Sequence, residues 1–167
     1  MNRLGGVFLH AGIWLGLGLL FYGFFLRQEA PPAQVIGTDQ IELNRSRDGH
    51  FHIDGTIQGE PVHFLIDTGA STVAISQKLA TRIGLGCDTR TQFRTANGTV
   101  QGCSSRVDEL EFGPFRLTNT VVGILPNLTS EALLGMNALR KVRLEQHADI
   151  LRLSLTDPQL ESIEPIR

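Results

Sequence analysis

The chain has 167 residues, of which 41% are hydrophobic and 19% are charged, and its formal net charge is −2. This length allows one domain of ordinary size, and the composition supplies a packed core and excludes wholesale disorder. Because the charge is close to neutral, the chain offers no basic surface for nucleic acid, and no nucleic-acid partner is expected.

The first predicted element is an apolar segment at residues 7–26, VFLHAGIWLGLGLLFYGFFL, which contains no Asp, Glu, Lys or Arg. A helix of about 20 apolar residues is long enough to cross the hydrocarbon core of a bilayer. We therefore predict a transmembrane anchor at residues 1–29 that contacts the lipid bilayer through residues 7–26. A cleaved signal peptide is the alternative, but its apolar region is shorter and a small-x-small cleavage site should follow it.

The charges that flank this segment predict its orientation. Arg3 precedes it, whereas Arg27 follows it and is balanced by Glu29. The positive-inside bias is weak and favours a cytoplasmic N-terminus, which gives a single-pass inner-membrane protein with a periplasmic or extracytoplasmic domain. The two cysteines, Cys87 and Cys103, lie in that domain, where an oxidising compartment would permit a disulfide between them. Two unrelated buried thiols are the alternative.

The rest of the chain divides into three predicted parts. Residues 30–49 contain a pair of prolines and a polar cluster, and they are predicted to be a linker. A short apolar alternation at 35–43 is also compatible with an edge strand. Residues 50–157 form the predicted folded domain, and residues 158–167 form a C-terminal tail.

Short apolar runs separated by turn residues are typical of β-strands. They occur at residues 50–59, 62–66, 71–76, 91–102, 106–125 and 142–155. A short helix is predicted between an N-cap at Ser76 and a stop at Gly84, and another within 131–142. Asn97-Gly98 is a strong hairpin signal. Many strands with little helix predict an all-β barrel or folded sheet.

One strand ends on a carboxylate. Residues 62–66 run directly into Asp67, and the tripeptide 67–69 is Asp-Thr-Gly. A glycine there permits close backbone approach or an unusual dihedral, so the loop can present the carboxylate in an open cleft. Asp-x-Gly is also good turn chemistry. The similar tripeptides at 54–56 and 88–90 lack flanking apolar strands, and both are predicted to be turns.

The longer string FLIDTGASTVAIS, residues 64–76, resembles the active-site segment of retropepsin-like aspartic proteases. ALLGMNAL at 132–139 resembles the second signature of that family, and FRTANGTVQG at 93–102 lies where the family carries its flap hairpin. The chain is most similar to bacterial membrane-anchored members. The resemblance implies a single-lobe retropepsin-like fold with a flap hairpin and one or two short helices, preceded by the transmembrane helix.

The resemblance assigns roles to the matching residues. Asp67 would be the catalytic carboxylate. The residues that support it would be Thr68, Gly69, Ala70 and Ser71. The flap tip would be Thr95, Ala96, Asn97, Gly98 and Thr99. The second signature, packed behind the active-site loop, would be Leu133, Leu134 and Gly135. Thr68 would hydrogen-bond across a dimer axis. The flap departs from the glycine-rich retroviral pattern.

The activity that the resemblance implies is aspartic endopeptidase activity on a protein or peptide substrate. Two carboxylates share one proton, so that one activates a water molecule while the other protonates the carbonyl oxygen. The chain has one Asp-Thr-Gly, and its domain is too short for two lobes. A homodimer would supply the second Asp67 on its two-fold axis, and no cofactor is needed. Within a single chain, Asp54 and Asp149 would be the first candidates for a second acid.

Two other interpretations of the sequence compete with this one. His50 and His52 share a strand face, but His63 and His147 do not follow at a metal-ligand spacing, so no metal is expected. A non-catalytic, membrane-tethered module of the same fold could hold an extended peptide beneath the flap by β-augmentation. The intact Asp-Thr-Gly at 67–69 favours the enzyme.

Overall fold

The structure, a computed structural model, describes residues 12–22, 34–37, 39–95, 98–155 and 163–165. The chain divides into two units, Met1–Pro31 and Pro32–Arg167. In the first unit, residues 12–22 form helix α1. No helix among the described residues is both long enough and apolar enough to span a membrane. The two ends of the predicted anchor, residues 7–11 and 23–26, lie outside the described residues.

The second unit is mostly β-structure. Its strands are β1 (Gln34–Gly37), β2 (Gln40–Asn44), β3 (His52–Ile57), β4 (Glu60–Ile66), β5 (Val73–Ser76), β6 (Thr89–Thr95), β7 (Gly98–Phe112), β8 (Phe115–Leu125), β9 (Ala132–Leu134), β10 (Val142–His147), β11 (Ile150–Leu155) and β12 (Ile163–Pro165). Its helices are α2 (Gln77–Arg82) and α3 (Met136–Leu139). The prediction of a mainly β domain with two short helices is therefore confirmed for this unit.

The larger sheet has eight strands in the order β12-β8-β5-β9-β4-β3-β7-β6, and β7 also pairs with β8. Because β7 contacts both β3 and β8, the strands between them close into a barrel. Its interior is filled by alternate apolar side chains from these strands, among them Phe64, Phe112 and Phe115, which are fully buried. Burial of this apolar surface is the main force that holds the strands together.

The smaller sheet has four strands in the order β1-β2-β11-β10. Its strand β2 lies within the predicted linker, and it pairs with β11 through Leu43 opposite Leu151. Ile41 and Leu43 are buried. The folded unit therefore begins before residue 50, because the short apolar alternation forms a real strand. At the other end, β12 pairs with β8 within the predicted tail.

The predicted helix after Ser76 is confirmed. The Ser76 hydroxyl accepts a hydrogen bond from the Leu79 N–H, and this caps the first turn of α2. Gly84 has a φ of 69°, the left-handed conformation that a glycine adopts readily after a helix. The two leucines and alanines of α2 and α3 that face inward are buried against the barrel.

The prediction of a turn at 54–56 is wrong, because these residues lie in the middle of β3. Gly55 explains the difference. A Cβ atom there would lie 1.9 Å from the carbonyl oxygen of Glu111, so the glycine lets β3 approach β7 closely. At 88–90 a bend at Asp88 leads directly into β6. The same turn-like letters thus occur in two different settings.

Candidate active site

The site is built where β9 inserts between β4 and β5. Strand β9 pairs with β4 in parallel, and it pairs with β5 in antiparallel orientation. The segment that connects β4 to β5 therefore has to pass around the end of β9. That segment is the loop of residues 67–72, which we call the Asp67 loop, and its position is fixed by two strands that are both part of the barrel.

Asp67 follows the last residue of β4, and its backbone N–H donates to the Leu134 carbonyl oxygen at 3.1 Å. Its own side chain then forms a tight turn, because the Gly69 N–H donates to Oδ1 of Asp67 at 2.8 Å. A Cβ atom at position 69 would lie 3.1 Å from that same oxygen, so a glycine keeps the carboxylate uncrowded. Asp67 is half-buried. The loop thus holds one carboxylate oxygen and leaves the side chain open to solvent.

The second half of the Asp67 loop is anchored to α3. The Met136 N–H donates to the Ala70 carbonyl at 2.8 Å, and the Asn137 N–H donates to the Ser71 carbonyl at 3.1 Å. The Asn137 side chain accepts from the Val73 N–H at 2.7 Å and donates to the Val121 carbonyl at 2.8 Å. One amide side chain therefore joins the end of the loop to β8.

Gly135, at the junction of β9 and α3, allows this anchoring. A Cβ atom there would lie 2.4 Å from the Thr72 carbonyl oxygen and 3.0 Å from that of Ala70. Only a residue without a side chain lets the two segments approach so closely. Leu134 is fully buried behind the loop, whereas Leu133 is half-buried and faces the cleft. The predicted second signature thus lies directly against the predicted active-site loop.

Two residues with predicted supporting roles, Thr68 and Ser71, are exposed. The Ser71 contact that the structure shows comes from its backbone carbonyl, which binds Asn137. Thr68 also borders a small cavity of about 260 Å³ beside Phe51 and Ile66. The predicted supporting roles of the two hydroxyl groups therefore remain predictions.

The predicted flap is the hairpin of β6 and β7. These strands pair in antiparallel register from Thr89 opposite Ser104 to Thr95 opposite Gly98. The Thr95 hydroxyl donates to the Gly98 carbonyl at 2.8 Å, and Gly98 has a φ of 109°. The two strands therefore stay paired up to Thr95 and Gly98. The other predicted tip residues, Ala96 and Asn97, lie outside the described residues, and Thr99 is exposed on β7.

The base of the flap is fixed covalently. A disulfide joins Cys87, which precedes β6, to Cys103 on β7. The adjacent Asp88 carboxylate accepts hydrogen bonds from the Ser105 hydroxyl at 2.8 Å and from the Arg106 N–H at 3.2 Å. These contacts hold the start of β6 against β7 at the end of the hairpin that is remote from the tip.

A cleft of about 350 Å³ lies between the flap and the Asp67 loop. It is lined by Asp67, Gly69, Ala70, Ser71, Thr72, Ala74, Phe93, Arg94, Thr95, Leu125 and Leu133. Asp67 is the one carboxylate among these lining residues. The cleft therefore combines a solvent-accessible acid and one guanidinium, that of Arg94, with apolar walls, as ligand-binding pockets commonly do.

The candidates for a second acid lie elsewhere. Asp54 pairs with Nδ1 of His63 at 2.7 Å, and Asp149 pairs with Nε of Arg45 at 3.0 Å. Neither lines the cleft beside Asp67. Across the described ranges, no group of three or more His, Cys, Asp or Glu side chains is placed to bind a metal ion.

An ionic network supports the other end of β4. Glu131, just before β9, accepts from the His63 N–H at 3.1 Å and from Nη2 of Arg82 at 2.6 Å. Arg82 also contacts Glu60 at 2.7 Å. Desolvation raises the pKa of Glu131, but the hydrogen bonds from His63 and Arg82 outweigh it, and the pKa lies below its ordinary value. The hydrogen bond to Glu131 raises the pKa of Arg82.

The sequence did not assign roles to two residues of this site, Phe93 and Asn137. Phe93 lies within the flap motif at 93–102, and Asn137 lies within the second signature at 132–139. Asn137 in the first turn of a helix is a common polar residue, and only the fold shows that it reaches both β5 and β8. Phe93 is one apolar residue in the alternating pattern of a strand, and this pattern does not show which groups its ring contacts. Its ring contacts two glycines, Gly102 on the facing strand of the hairpin and Gly123 on β8, and the second of these is not suggested by any local pattern.

A carboxylate presented at the end of a strand, beneath a hairpin and against a glycine that precedes a short helix, defines a lobe of the aspartic protease type. The family described as "gag-polyprotein putative aspartyl protease" matches residues 53–141, which is more than half of the chain. The chain therefore belongs to this family of aspartic proteases. Its fold is the single-lobe, retropepsin-like fold.

Two relatives share part of the sequence. An uncharacterized protein encoded in the cobV 5′ region of Sinorhizobium is 30% identical over 122 residues, which cover 70% of this chain and 52% of that protein. Uncharacterized protein RP867 of Rickettsia prowazekii (strain Madrid E) is 33% identical over 109 residues, which cover 62% and 46%. The chain spans about half the length of the relatives it matches.

A solved structure shares the fold. The crystal structure of a retropepsin-like aspartic protease from Rickettsia conorii superposes with a TM-score of 0.58 and 24% sequence identity. The match covers 75% of this chain and 96% of that one. At this identity the likeness concerns the fold, and it agrees with the retropepsin-like architecture predicted from the three motifs.

Proposed function

We propose that this protein is a membrane-anchored aspartic endopeptidase, in which Asp67 of two identical chains activates a water molecule for peptide-bond hydrolysis. One carboxylate accepts a proton from the water, and the other donates a proton to the carbonyl oxygen of the scissile bond. The water oxygen then bonds to the carbonyl carbon. Collapse of the resulting tetrahedral species breaks the C–N bond, and the amine leaves with a proton.

The observation that carries this proposal is the setting of Asp67. Its carboxylate is half-buried at the edge of an apolar cleft, and a single backbone N–H, that of Gly69, binds it. A residue that served only to form a turn would not need this cleft or the close packing of Gly135 behind it.

The requirement for two chains follows from the number of carboxylates. Among the described residues that line the cleft there is one carboxylate, and the mechanism needs a pair close enough to share a proton. A symmetric dimer would bring a residue on its axis next to its own copy. Thr68 is exposed and the neighbouring Asp67 is half-buried with its side chain at an open cleft, where a second chain could reach them. No cofactor takes part in this scheme.

The anchor and the compartment belong to the same proposal. The apolar residues 7–26 and the weak positive-inside bias support a single inner-membrane span with the protease domain outside the cytoplasm. The disulfide between Cys87 and Cys103 supports an oxidising compartment. Holding both chains in one membrane would raise their effective concentration and favour the dimer.

The test is cleavage of an unfolded protein by the full chain in detergent, compared with Asp67→Asn and with Asp149→Asn as a matched control. Asp67→Asn removes the shared proton, so we expect it to abolish cleavage and leave the melting temperature within a few degrees of wild type. Asp149→Asn changes an acid outside the cleft and should retain activity. Cleavage by Asp67→Asn at the wild-type rate would refute the mechanism, whereas a wild type that binds peptides without cleaving them would favour a binding module.

A further inference from the structure

The cleft beside Asp67 has one aromatic wall, Phe93 on the flap strand β6. Ala74, Leu125 and Leu133 also contribute apolar surface to the lining of the cleft, whereas its polar lining comes from Arg94, Thr95 and residues of the Asp67 loop. Phe93 is only partly buried, so part of its ring faces the open space of the cleft. A substrate side chain that enters beside Asp67 would therefore contact this ring.

The Phe93 ring packs directly against two glycines, and we call this position of the ring its seat. A Cβ atom at Gly123 would lie 2.7 Å from Cε1 and 2.8 Å from Cζ of the ring, and a Cβ atom at Gly102 would lie 3.1 Å from Cε2. Any side chain at Gly123 would thus occupy the space that the ring fills. Glycine within a strand is usually destabilising, so a glycine under an aromatic ring indicates that the close contact has structural value.

The two glycines belong to the rigid part of the barrel. Gly102 is on β7 next to Cys103, whose disulfide fixes the base of the flap. Gly123 is on β8 and pairs with Ala74 of β5. The ring is therefore held by residues of β7 and β8 that do not belong to the flap tip.

We propose that Phe93 is a specificity-determining residue: its ring, seated on Gly102 and Gly123, sets the size of the apolar substrate side chain accepted next to the scissile bond. This inference rests on the proposed endopeptidase function. A charged side chain placed against Phe93 and Leu133 would lose hydration without gaining a partner in that apolar part of the cleft, and such burial is costly. Medium-sized apolar side chains fill the space between the ring and Leu133, and larger ones are blocked by the ring.

The structure offers two opposite perturbations of this pocket. Phe93→Ala removes the ring and enlarges the pocket. Gly123→Ala places a methyl group where the ring now lies, so the ring must move away from β8. Because the open space beside the ring is the cleft, we expect the ring to move into the cleft and narrow it. Phe93→Leu is the conservative variant that retains apolar packing on the glycines. Gln92→Ala, at an exposed neighbouring position on the same strand, is the control.

The experiment measures kcat/KM of the full chain in detergent for peptides that differ only in the residue before the cleaved bond: alanine, leucine, phenylalanine or 2-naphthylalanine. The wild type should prefer leucine and phenylalanine. Phe93→Ala should raise the naphthylalanine-to-leucine ratio about tenfold or more, the range expected for a change in pocket size. Phe93→Leu should raise it less, Gly123→Ala should lower the phenylalanine-to-alanine ratio, and Gln92→Ala should change neither.

Ratios that stay within about twofold of wild type in both Phe93→Leu and Gly123→Ala, with melting temperatures that show folded protein, would overturn the proposal. If the wild type cleaves no peptide, the proposed peptidase function fails. The pocket is then tested alone by calorimetric binding of the same peptides with a reduced, uncleavable bond. Size-dependent affinity that changes in Phe93→Leu would support the pocket, and unchanged affinities would refute it.

Discussion

Replacement of Asn137 by leucine is the most informative perturbation of the scaffold, because this side chain joins the Asp67 loop to the barrel. Asn137→Leu removes the bond to the Val73 N–H and the bond to the Val121 carbonyl. Each backbone group left without its partner costs about 1–3 kcal/mol when it is buried. Because these two groups are only partly buried, we expect a total loss of roughly 2–3 kcal/mol in the free energy of unfolding. For a domain of this size we expect the melting temperature to fall by roughly 6–10 °C.

The same change should reduce activity in the folded protein. With its far end released, the Asp67 loop is free to shift, and a displacement of about 1 Å at a catalytic group can lower the rate about a hundredfold. We expect kcat to fall at least about tenfold, with a smaller change in KM. The measurements are differential scanning calorimetry and peptide cleavage well below the melting transition. Asn127→Leu, at an exposed position, is the control. An Asn137→Leu protein with unchanged melting temperature and kcat would refute this account of the loop.

Three further predictions concern the scaffold. Gly135→Ala places a methyl group 2.4 Å from a backbone oxygen and should lower the free energy of unfolding, measured by urea denaturation, by about 1–3 kcal/mol. Gly86 has open space around it, so Gly86→Ala is the control and should leave the free energy of unfolding unchanged. Loss of the disulfide between Cys87 and Cys103, which are 16 residues apart, should cost about 3 kcal/mol; a reductant should lower the melting temperature of wild type and leave a double serine variant unchanged. The pKa of Glu131 is lowered in the folded state, so its stabilisation is complete above the unfolded pKa of about 4.3 and is lost as the pH falls through the folded pKa. Glu131→Gln should therefore flatten the acid side of a plot of urea midpoint against pH, and an unchanged acid side would contradict the assignment.

Local signals in the sequence were sufficient for several elements. Ser76 and Gly84 mark the ends of a helix through capping, which depends on neighbouring residues alone. The flap and the final hairpin also follow from short-range turn chemistry and alternation. The Asp67 loop was predicted because a strand that ends on Asp-Thr-Gly, followed by a second apolar strand, is a long and specific pattern.

Other features depend on contacts between distant residues, and local patterns do not reveal them. Strand β2 looked like part of a linker because its partner, β11, lies more than a hundred residues further along the chain. Gly55 looked like a turn residue, since its reason for being glycine is the backbone of Glu111 on another strand. The seat of Phe93 and the two bonds of the Asn137 side chain have the same origin. Whether Asp67 meets its own copy is a property of a second chain.

The measurement that tests the central claim most directly mixes wild-type and Asp67→Asn chains in detergent and allows them to exchange. If the site needs one Asp67 from each of two chains, a mixed dimer has one carboxylate and one amide and is inactive. With equal amounts of both chains, the activity per wild-type chain should fall to about half, and with a threefold excess of Asp67→Asn to about a quarter, because wild-type pairs form at random. Activity per wild-type chain that does not change as Asp67→Asn is added, under conditions where exchange is shown by cross-linking, would contradict a shared active site.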